Sequence, residues 1–454
     1  MRYQIPKRII QTGKTVLQTP AYNDLCVPAG ALDGLTIMRY AHIYRDRVSG
    51  GVEQYLRHLD RGLLQRHHLT VLQMYLTRDD KNDAIDVENV GMGRILWLPV
   101  PLRQMDWTLA DLPNRMGYIF GQTYRQYRRQ GGGRYRAILL SLQGVLQHHC
   151  SHFRYDTTIL SDHLARLLVT QNVDLLALHW LFYDTDALIS SALEARIPFV
   201  LINHFDNERF SRPAMQKWIG RAAAIGAVSD QGIPDDLRGR CFNLSDAVDT
   251  EFFTPEKARS MRVPADPIVL LPARIYERKG HRDLIEAARI LIARKVGLVL
   301  CFAGAVDSEP LYQELLGLVA AAGIEERVLF LGEKSAEEMR DLYAISSVVV
   351  LPSYSEGLGR VLIEAQAMKK PVVAYDNGGM REAVLQNETG SLIETGDVKA
   401  LADKIGFLLQ NEAERSRIGQ RGREFVSSKF SISSLIQRHE TFYLSALSRA
   451  RMRN

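Results

Sequence analysis

The chain has 454 residues, of which 46% are hydrophobic and 24% are charged. This length and composition are typical of a globular protein with two or three domains. The 57 Lys and Arg residues outnumber the 52 Asp and Glu residues by only five, too small an excess to indicate a nucleic-acid-binding protein. The four cysteines lack disulfide or metal-ligand spacing, which favours a reducing compartment. Because no apolar run approaches the roughly 20 residues of a membrane span, we expect a cytoplasmic protein, or one bound peripherally at the inner membrane face.

The first part of the chain divides into an irregular start and a βα series. Residues 1–34 carry prolines and glycines without a period and are predicted to form an irregular extension. Residues 35–255 then alternate short apolar runs with glycine loops and helical patterns, which is typical of βαβ units in a parallel sheet. The predicted strands are 35–43, 69–76, 173–178, 199–203 and 223–228.

A second βα series follows a charged segment with three prolines at 249–267, which we interpret as a linker. Its predicted strands are 268–271, 297–302, 328–331, 348–351 and 371–374. Five strands alternating with helices predict a doubly wound α/β domain over 256–430. A final helix over 431–454 would be able to pack back on the first domain. Two α/β domains leave a cleft between them, a usual place for a ligand.

The strongest charge asymmetry lies between Asp111 and Asp156, where no acidic residue occurs. Seven arginines occupy this segment: Arg115, Arg125, Arg128, Arg129, Arg134, Arg136 and Arg154. Aromatic and aliphatic residues stand between them, so residues 115–136 could lie on an anionic membrane surface. The same charges also fit a solvated helical face, or the capture of an acidic acceptor.

Two cations follow the first strand of the second series. Arg274 comes just after that strand, and Lys279-Gly280 stands at the start of the next helix. Cations beside a helix N-terminus at the carboxyl edge of a sheet suit a diphosphate. Taken alone, this spacing also fits a solvated basic loop.

Two carboxylates stand eight residues apart after the strand that ends at 351. Glu356 lies on a loop with two glycines, and Glu364 lies in a helix predicted to begin near Gly359. Both could accept hydrogen bonds from sugar or ribose hydroxyls. Acidic residues near a helix start are also common because of the helix dipole.

Together these residues resemble glycosyltransferase family 4, the retaining transferases with the GT-B fold of two facing Rossmann-like domains. The resemblance spans most of the second domain and rests on many elements in one order. These are Arg274-x4-Lys279-Gly280, Gly332-Glu333, Pro352-Ser353-x2-Glu356-Gly357-x-Gly359, the Glu356/Glu364 pair, 371–379, Glu382 and 390–393.

The first domain matches the family through fewer residues. Gly50-Gly51 resembles the family's glycine loop, which approaches the donor phosphates, and His204 stands where the family has a His near the transferred sugar. His179 is a second candidate for that place.

The resemblance implies a UDP- or GDP-linked sugar as donor and a glycan or lipid-linked acceptor. Arg274 and Lys279 would neutralise the leaving diphosphate, and Glu364 would hold the donor ribose. Glu356 and the backbone of Leu358, Gly359 and Arg360 would hold sugar and phosphate. Two other classes stay open: an epimerase or hydrolase of sugar nucleotides with the same fold, and a non-catalytic sugar-nucleotide-binding module.

We expect no metal and no other cofactor. Asp184-Thr185-Asp186 has the Asp-x-Asp spacing of metal-dependent glycosyltransferases, but it directly precedes a helical pattern and is better explained as a helix start. His148, His149, Cys150 and His152 crowd one segment, yet no partner motif completes a metal site.

Overall fold

The computed structural model describes residues 28–40, 51–77, 86–101, 168–179, 185–204, 213–230, 233–260 and 264–453. The basic segment 115–136, Gly50, Asp184 and the group at 148–152 lie outside the described residues. Predictions that fall there are not tested by the fold.

The first sheet has eight strands in the order β3-β4-β2-β1-β5-β6-β7-β8. The strands are β1 Thr36–Tyr40, β2 Thr70–Thr77, β3 Asp86–Val90, β4 Gly93–Pro101, β5 Leu175–Leu178, β6 Phe199–Asn203, β7 Ala224–Ala227 and β8 Cys241–Asn243. All pair in parallel except β3, which is antiparallel to β4. The helices among the described residues of this part are α1 Gly51–Arg66, α2 Thr185–Glu194, α3 Pro213–Ile219 and α4 Asp235–Arg238. Successive strands are added outward on either side of β1 and β5, so the point where the order reverses lies between these two strands.

Sequence patterns did not predict the β3–β4 hairpin or β8. The run Asp86–Val90 is mostly polar, and its strand is an edge strand whose outer side needs no apolar residue. Gly91 turns the hairpin with φ of +57°, a conformation that favours glycine. Strand β8 has only three residues, too few to show a period.

The second sheet has six parallel strands in the order β11-β10-β9-β12-β13-β14. Its strands are β9 Ile268–Leu271, β10 Val299–Phe302, β11 Val328–Phe330, β12 Val348–Leu351, β13 Val372–Tyr375 and β14 Gly390–Ile393. The helices are α5 His281–Ala293, α6 Glu309–Ala322, α7 Ala336–Ile345, α8 Arg360–Ala367, α9 Met380–Ala383, α10 Val398–Gln410 and α11 Glu412–Lys429. When the six strands are numbered by their order in the chain, they lie side by side in the order 3-2-1-4-5-6. The order reverses between β9 and β12. The five predicted strands of this part all form, and β14 is an addition to them.

The last helix, α12 Ile432–Arg453, packs on the first sheet's side of the molecule. Its apolar residues share one core with α1, and Ile436 lies so close to Gly62 that a Cβ there would overlap it. Nε2 of His67 lies 2.8 Å from a carboxylate oxygen of Glu440. The C-terminal helix is therefore part of the first domain's core, although it follows the second domain in the chain.

The chain crosses between the two sheets at two adjacent places. Val248 forms a parallel bridge with Ser431, where the outgoing and returning segments meet. Arg423 of α11 donates to the backbone carbonyl oxygens of Thr250 and Phe253, each at 2.8 Å. Phe253 is 3% exposed and belongs to the second domain's core, so the segment interpreted as a linker is packed where it begins. No described helix combines the length and the apolar character that a membrane crossing requires.

Candidate active site

The loops after β9 and β12 form one surface at the switch point of the second sheet. A short 3-10 turn, Glu277–Lys279, ends at Gly280, which has φ of +72° and begins α5. A Cβ at Gly280 would overlap the carbonyl oxygen of Pro352, so only glycine allows the two loops to approach. The N–H of Tyr354 then donates to the carbonyl oxygen of Arg278 at 2.8 Å. This contact fixes the cationic loop against the loop that carries Glu356.

Lys279 and Glu356 meet on this surface. The Nζ of Lys279 donates to Oε1 of Glu356, and the two side chains are 23% and 17% exposed. A half-buried cation beside a carboxylate can bind a ligand that offers both negative oxygens and hydroxyl groups. The structure therefore brings together two residues that the sequence placed 77 positions apart.

A third loop supports the one that carries Glu356. Gly378 and Gly379 lie so close to the carbonyl oxygens of Glu356 and Gly357 that a Cβ at either position would overlap them. The glycine pair that follows β13 therefore explains how the backbone at 356–358 is held. Gly359 has φ of +76° and forms the N-terminal boundary of α8, where the sequence predicted a helix start.

Glu364 is engaged on both oxygens. Its Oε2 accepts a hydrogen bond from the hydroxyl of Tyr343 at 3.0 Å, and its Oε1 accepts from Nε of Arg360 at 3.1 Å. Burial raises the pKa of Glu364, and the charge of Arg360 opposes that shift. The guanidinium of Arg360 also reaches Asp246 of the first domain at 3.2 Å. Arg360 thus acts here through its side chain, whereas the sequence predicted a role for its backbone; sequence patterns did not identify Tyr343 at all.

Arg274 stands apart from the Lys279–Glu356 pair. Its side chain is 63% exposed and forms an ion pair with Asp307, which follows β10, at 2.7 Å. The two predicted diphosphate cations are therefore each paired with a different carboxylate. A ligand that used both would exchange these contacts for its own.

The first domain meets this surface at the end of β6. The carbonyl oxygen of His204 would lie 3.4 Å from a Cβ at Gly357. Nε2 of His204 lies 3.0 Å from Nδ1 of His179, which follows β5 and is fully buried. Both predicted histidine candidates thus belong to one pair, with only His204 near the opposite domain. Gly51, from the predicted glycine loop, is the first residue of α1.

Buried polar groups that the sequence did not reveal surround the histidine pair. Arg39 of β1 is fully buried and lies 2.5 Å from Asp60. The ring of Tyr55 meets His204 edge-on with centroids 4.8 Å apart, and its hydroxyl lies 2.9 Å from Nε2 of His439. We name Arg39, Tyr55, Asp60, His179, His204 and His439 the interior cluster.

Glu382 connects the domains at a separate place, which we name the seam. Its Oε1 accepts hydrogen bonds from the hydroxyl of Ser229 at 2.6 Å and from the N–H of Asp230 at 2.5 Å. Its Oε2 accepts from the amide of Asn243 at 3.2 Å. All three donors belong to the first domain, so one carboxylate of α9 holds the ends of β7 and β8.

Within the described parts of the chain, no group of three or more His, Cys, Asp or Glu side chains could hold a metal ion. The described cysteines, Cys241 and Cys301, are free and buried. Metal independence stays a prediction, because Asp184 lies outside the described residues.

Comparison with known proteins agrees with this arrangement. Residues 253–425 match the family model described as glycosyl transferases group 1. The capsular polysaccharide biosynthesis glycosyltransferase CapM of Staphylococcus aureus is 32% identical over 170 residues, which cover 37% of this chain and 44% of that protein. A GDP-mannose-dependent alpha-(1-6)-phosphatidylinositol monomannoside mannosyltransferase of Mycobacterium tuberculosis is 30% identical over 200 residues, covering 41% of this chain and 51% of that protein. The matches thus span about half the length of these curated relatives.

A solved structure resembles almost the whole chain. The structure of HepE from Anabaena in complex with UDP-glucose has a TM-score of 0.61 and 19% sequence identity, and the match covers 90% of this chain and 99% of that one. At this identity the likeness shows the fold. The expected architecture of two Rossmann-like domains is confirmed, as is the resemblance to glycosyltransferases: the chain has the GT-B fold, and residues 253–425 resemble glycosyl transferases group 1.

Proposed function

We propose that the protein is a retaining, family 4-like glycosyltransferase that moves a hexose from a nucleotide-diphosphate sugar to a glycan or lipid-linked acceptor without a metal. One observation carries the proposal. Lys279 and Glu356 pair, partly exposed, at the switch point of the second sheet and beside the N-terminus of α5. In open α/β sheets this is where ligands bind, and a helix N-terminus with a cation favours phosphate.

The roles of the residues follow from their chemistry. Lys279 and Arg274 stabilise negative charge on the diphosphate as its bond to the anomeric carbon breaks. Glu356 accepts hydrogen bonds from the sugar, and Glu364 holds the ribose. The acceptor hydroxyl oxygen forms the new bond to the anomeric carbon on the face that the diphosphate leaves. Its proton passes to a phosphate oxygen of the leaving group, so the step needs no protein base.

The donor is a UDP- or GDP-linked sugar. A relative named as GDP-mannose-dependent and a structural neighbour bound to UDP-glucose support this class. The acceptor side includes the basic segment 115–136, for which we favour contact with an anionic membrane at its cytoplasmic face.

The direct test incubates the protein with a panel of UDP- and GDP-sugars and candidate acceptors in excess EDTA. We expect one donor to be consumed only when an acceptor is present, with the product retaining the donor's anomeric configuration by NMR. Donor hydrolysis or isomerisation without acceptor would instead favour the hydrolase or epimerase alternative. A strict requirement for magnesium or manganese would contradict metal independence.

The membrane proposal has its own test, co-sedimentation with anionic liposomes at low and high salt. Wild type should bind at low salt, and a variant with Arg125, Arg128 and Arg129 changed to Gln should bind less. Equal binding by the variant would show that this segment is not the contact.

A further inference from the structure

Two histidines of the interior cluster share one hydrogen bond, and only the outer one, His204, lies near the second domain. His179 is fully buried, whereas His204 is half-buried and lies where the first domain faces Gly357 of the second domain. Nδ1 of His179 lies 3.0 Å from Nε2 of His204, and the rings stack with centroids 5.3 Å apart. A single proton lies between these two nitrogens, so one ring donates and the other accepts.

Both rings are neutral near pH 7. Burial and the charge of Arg39 lower the pKa of His204 to about 3, and the same causes lower the pKa of His179 well below its usual value. A neutral imidazole carries one N–H and one unprotonated nitrogen. The ring that carries the shared proton therefore has its other nitrogen unprotonated. The opposite ring must then carry its own proton on the nitrogen outside the shared hydrogen bond.

Tyr55 does not compete for either ring nitrogen. Its ring packs edge-on against His204, while its hydroxyl lies 3.1 Å from the carbonyl oxygen of Leu244 and 2.9 Å from Nε2 of His439. The tyrosine thus restrains the position of the His204 ring without setting its protonation.

The surroundings of Nε2 of His179, which lies outside the shared hydrogen bond, indicate which of the two rings carries the shared proton. Among the described residues, Nε2 of His179 is buried without a hydrogen-bond partner. If His204 carried the shared proton on Nε2, His179 would carry its own proton on Nε2, as a buried donor with no acceptor. If His179 carries the shared proton on Nδ1, its buried Nε2 is an unpaired acceptor. Buried unpaired donors are rarer in proteins than under-satisfied acceptors, so the second arrangement is favoured.

We infer that His179 donates its Nδ1–H to Nε2 of His204 and thereby fixes the tautomer in which His204 carries its proton on Nδ1. His204 is then a neutral hydrogen-bond donor and not a base, and His179 is a positioning residue. The role of that donor rests on the proposed function: a sugar hydroxyl oxygen of the donor is the group that Nδ1–H binds in the cleft. The tautomer itself does not depend on the proposed function.

The tautomer is tested by NMR of the full chain with 15N-labelled histidine rings. Protonated and unprotonated ring nitrogens differ widely in chemical shift, and His204→Asn and His179→Asn identify the two residues' signals among the 12 histidines. We expect protons on Nδ1 of both residues at pH 7. A proton on Nε2 of His204 would overturn the inference. This measurement needs no substrate, so its result stands even if no sugar donor is turned over.

Variants of His179 test the positioning role. His179→Asn keeps an N–H near the position of Nδ1, so we expect the His204 tautomer to persist and kcat to stay within about 3-fold. His179→Leu removes the donor, and we expect mixed His204 tautomers and a kcat lowered about 10-fold, with the donor KM little changed, as for one lost hydrogen bond. An unchanged His204 tautomer in the Leu variant would overturn the role of His179.

The control is the exposed His68 changed to Asn, which should alter neither the His204 tautomer nor kcat. Should the Leu variant fail to fold, the wild-type and Asn spectra still decide the tautomer.

Discussion

The two halves of the candidate site are built in opposite ways. In the second domain three loops are held together by glycine backbone contacts, and the charged pair Lys279–Glu356 stays partly exposed. In the first domain the polar groups are interior, and Arg39 and His179 are fully buried. A phosphate ligand that arrives from water needs accessible charge, whereas a buried cluster can fix the protonation and orientation of one group at the cleft. Binding and positioning are therefore separated between the domains.

The largest effect is expected at the exposed charge. Lys279→Ala removes the cation that the proposal assigns to the leaving diphosphate and should lower kcat about 100- to 1,000-fold, as for loss of one preorganised electrostatic group. Steady-state kinetics with the best donor measures this, with circular dichroism to show an intact fold. Arg278→Ala is the matched control, because Arg278 precedes Lys279 and stacks over Tyr276 at 5.7 Å. Equal losses in both variants would show that Lys279 has no special role.

The seam should be the next most sensitive place. Glu382→Ala leaves the hydroxyl of Ser229 and the N–H of Asp230 without their acceptor, and we expect about 3 kcal/mol loss in the free energy of unfolding. Urea denaturation measures it. Glu388→Ala is the control: Glu388 is 57% exposed and lies 3.6 Å from Arg421, so its loss should cost less than about 0.5 kcal/mol. Comparable costs would mean that the seam does not hold the domains together.

A glycine at a close contact between loops of the second domain should tolerate substitution less well than a glycine inside a helix with free space around it. Gly280→Ala should lose about 2 kcal/mol or more of unfolding free energy, because φ is positive and the Cβ would meet Pro352. Gly317 lies inside α6, and a Cβ added there would meet no atom within 4 Å, so Gly317→Ala should gain up to about 1 kcal/mol. Thermal or urea unfolding compares the two. A neutral Gly280→Ala would contradict the close approach of the loops.

A smaller effect concerns pH and a buried histidine of the second domain. Burial lowers the pKa of His281, which packs on Phe302, to about 4. Because the unfolded chain binds a proton near pH 6.5 and the folded chain does not, the free energy of unfolding should fall as the pH falls from about 6.5 towards 4. His281→Phe should reduce that slope by up to about 1.4 kcal/mol per pH unit. Identical slopes in urea titrations at pH 7, 6 and 5 would contradict the lowered pKa.

The sequence predicted the second domain well because its signals are local. Each buried strand is one apolar run, and Lys279 and Glu356 stand in the loops that follow two of them, at the edge where parallel strands end together. The contacts within the interior cluster could not be predicted in this way. Tyr55 and His439 are 384 positions apart in the chain, and their contact depends on α12 returning to the first domain. No local pattern reports such a contact.

The same limit applies to the contacts between domains. Arg360 stood in a recognisable motif, but nothing in that motif shows that its side chain meets Asp246. The edge hairpin β3–β4 was missed for a different reason, since an edge strand with polar residues has no hydrophobic period. Local motifs thus locate the candidate groups, and the fold determines their partners.

The decisive experiment is calorimetric titration of UDP and GDP into the full chain in EDTA, because it asks whether the edge after β9 and β12 binds a nucleotide diphosphate. We predict saturable binding of at least one of the two, weakened at least about 10-fold in Lys279→Ala as for loss of a charge-assisted contact, and unchanged in Arg278→Ala. Absence of binding by both nucleotides, or equal binding by wild type and Lys279→Ala, would contradict the proposed site.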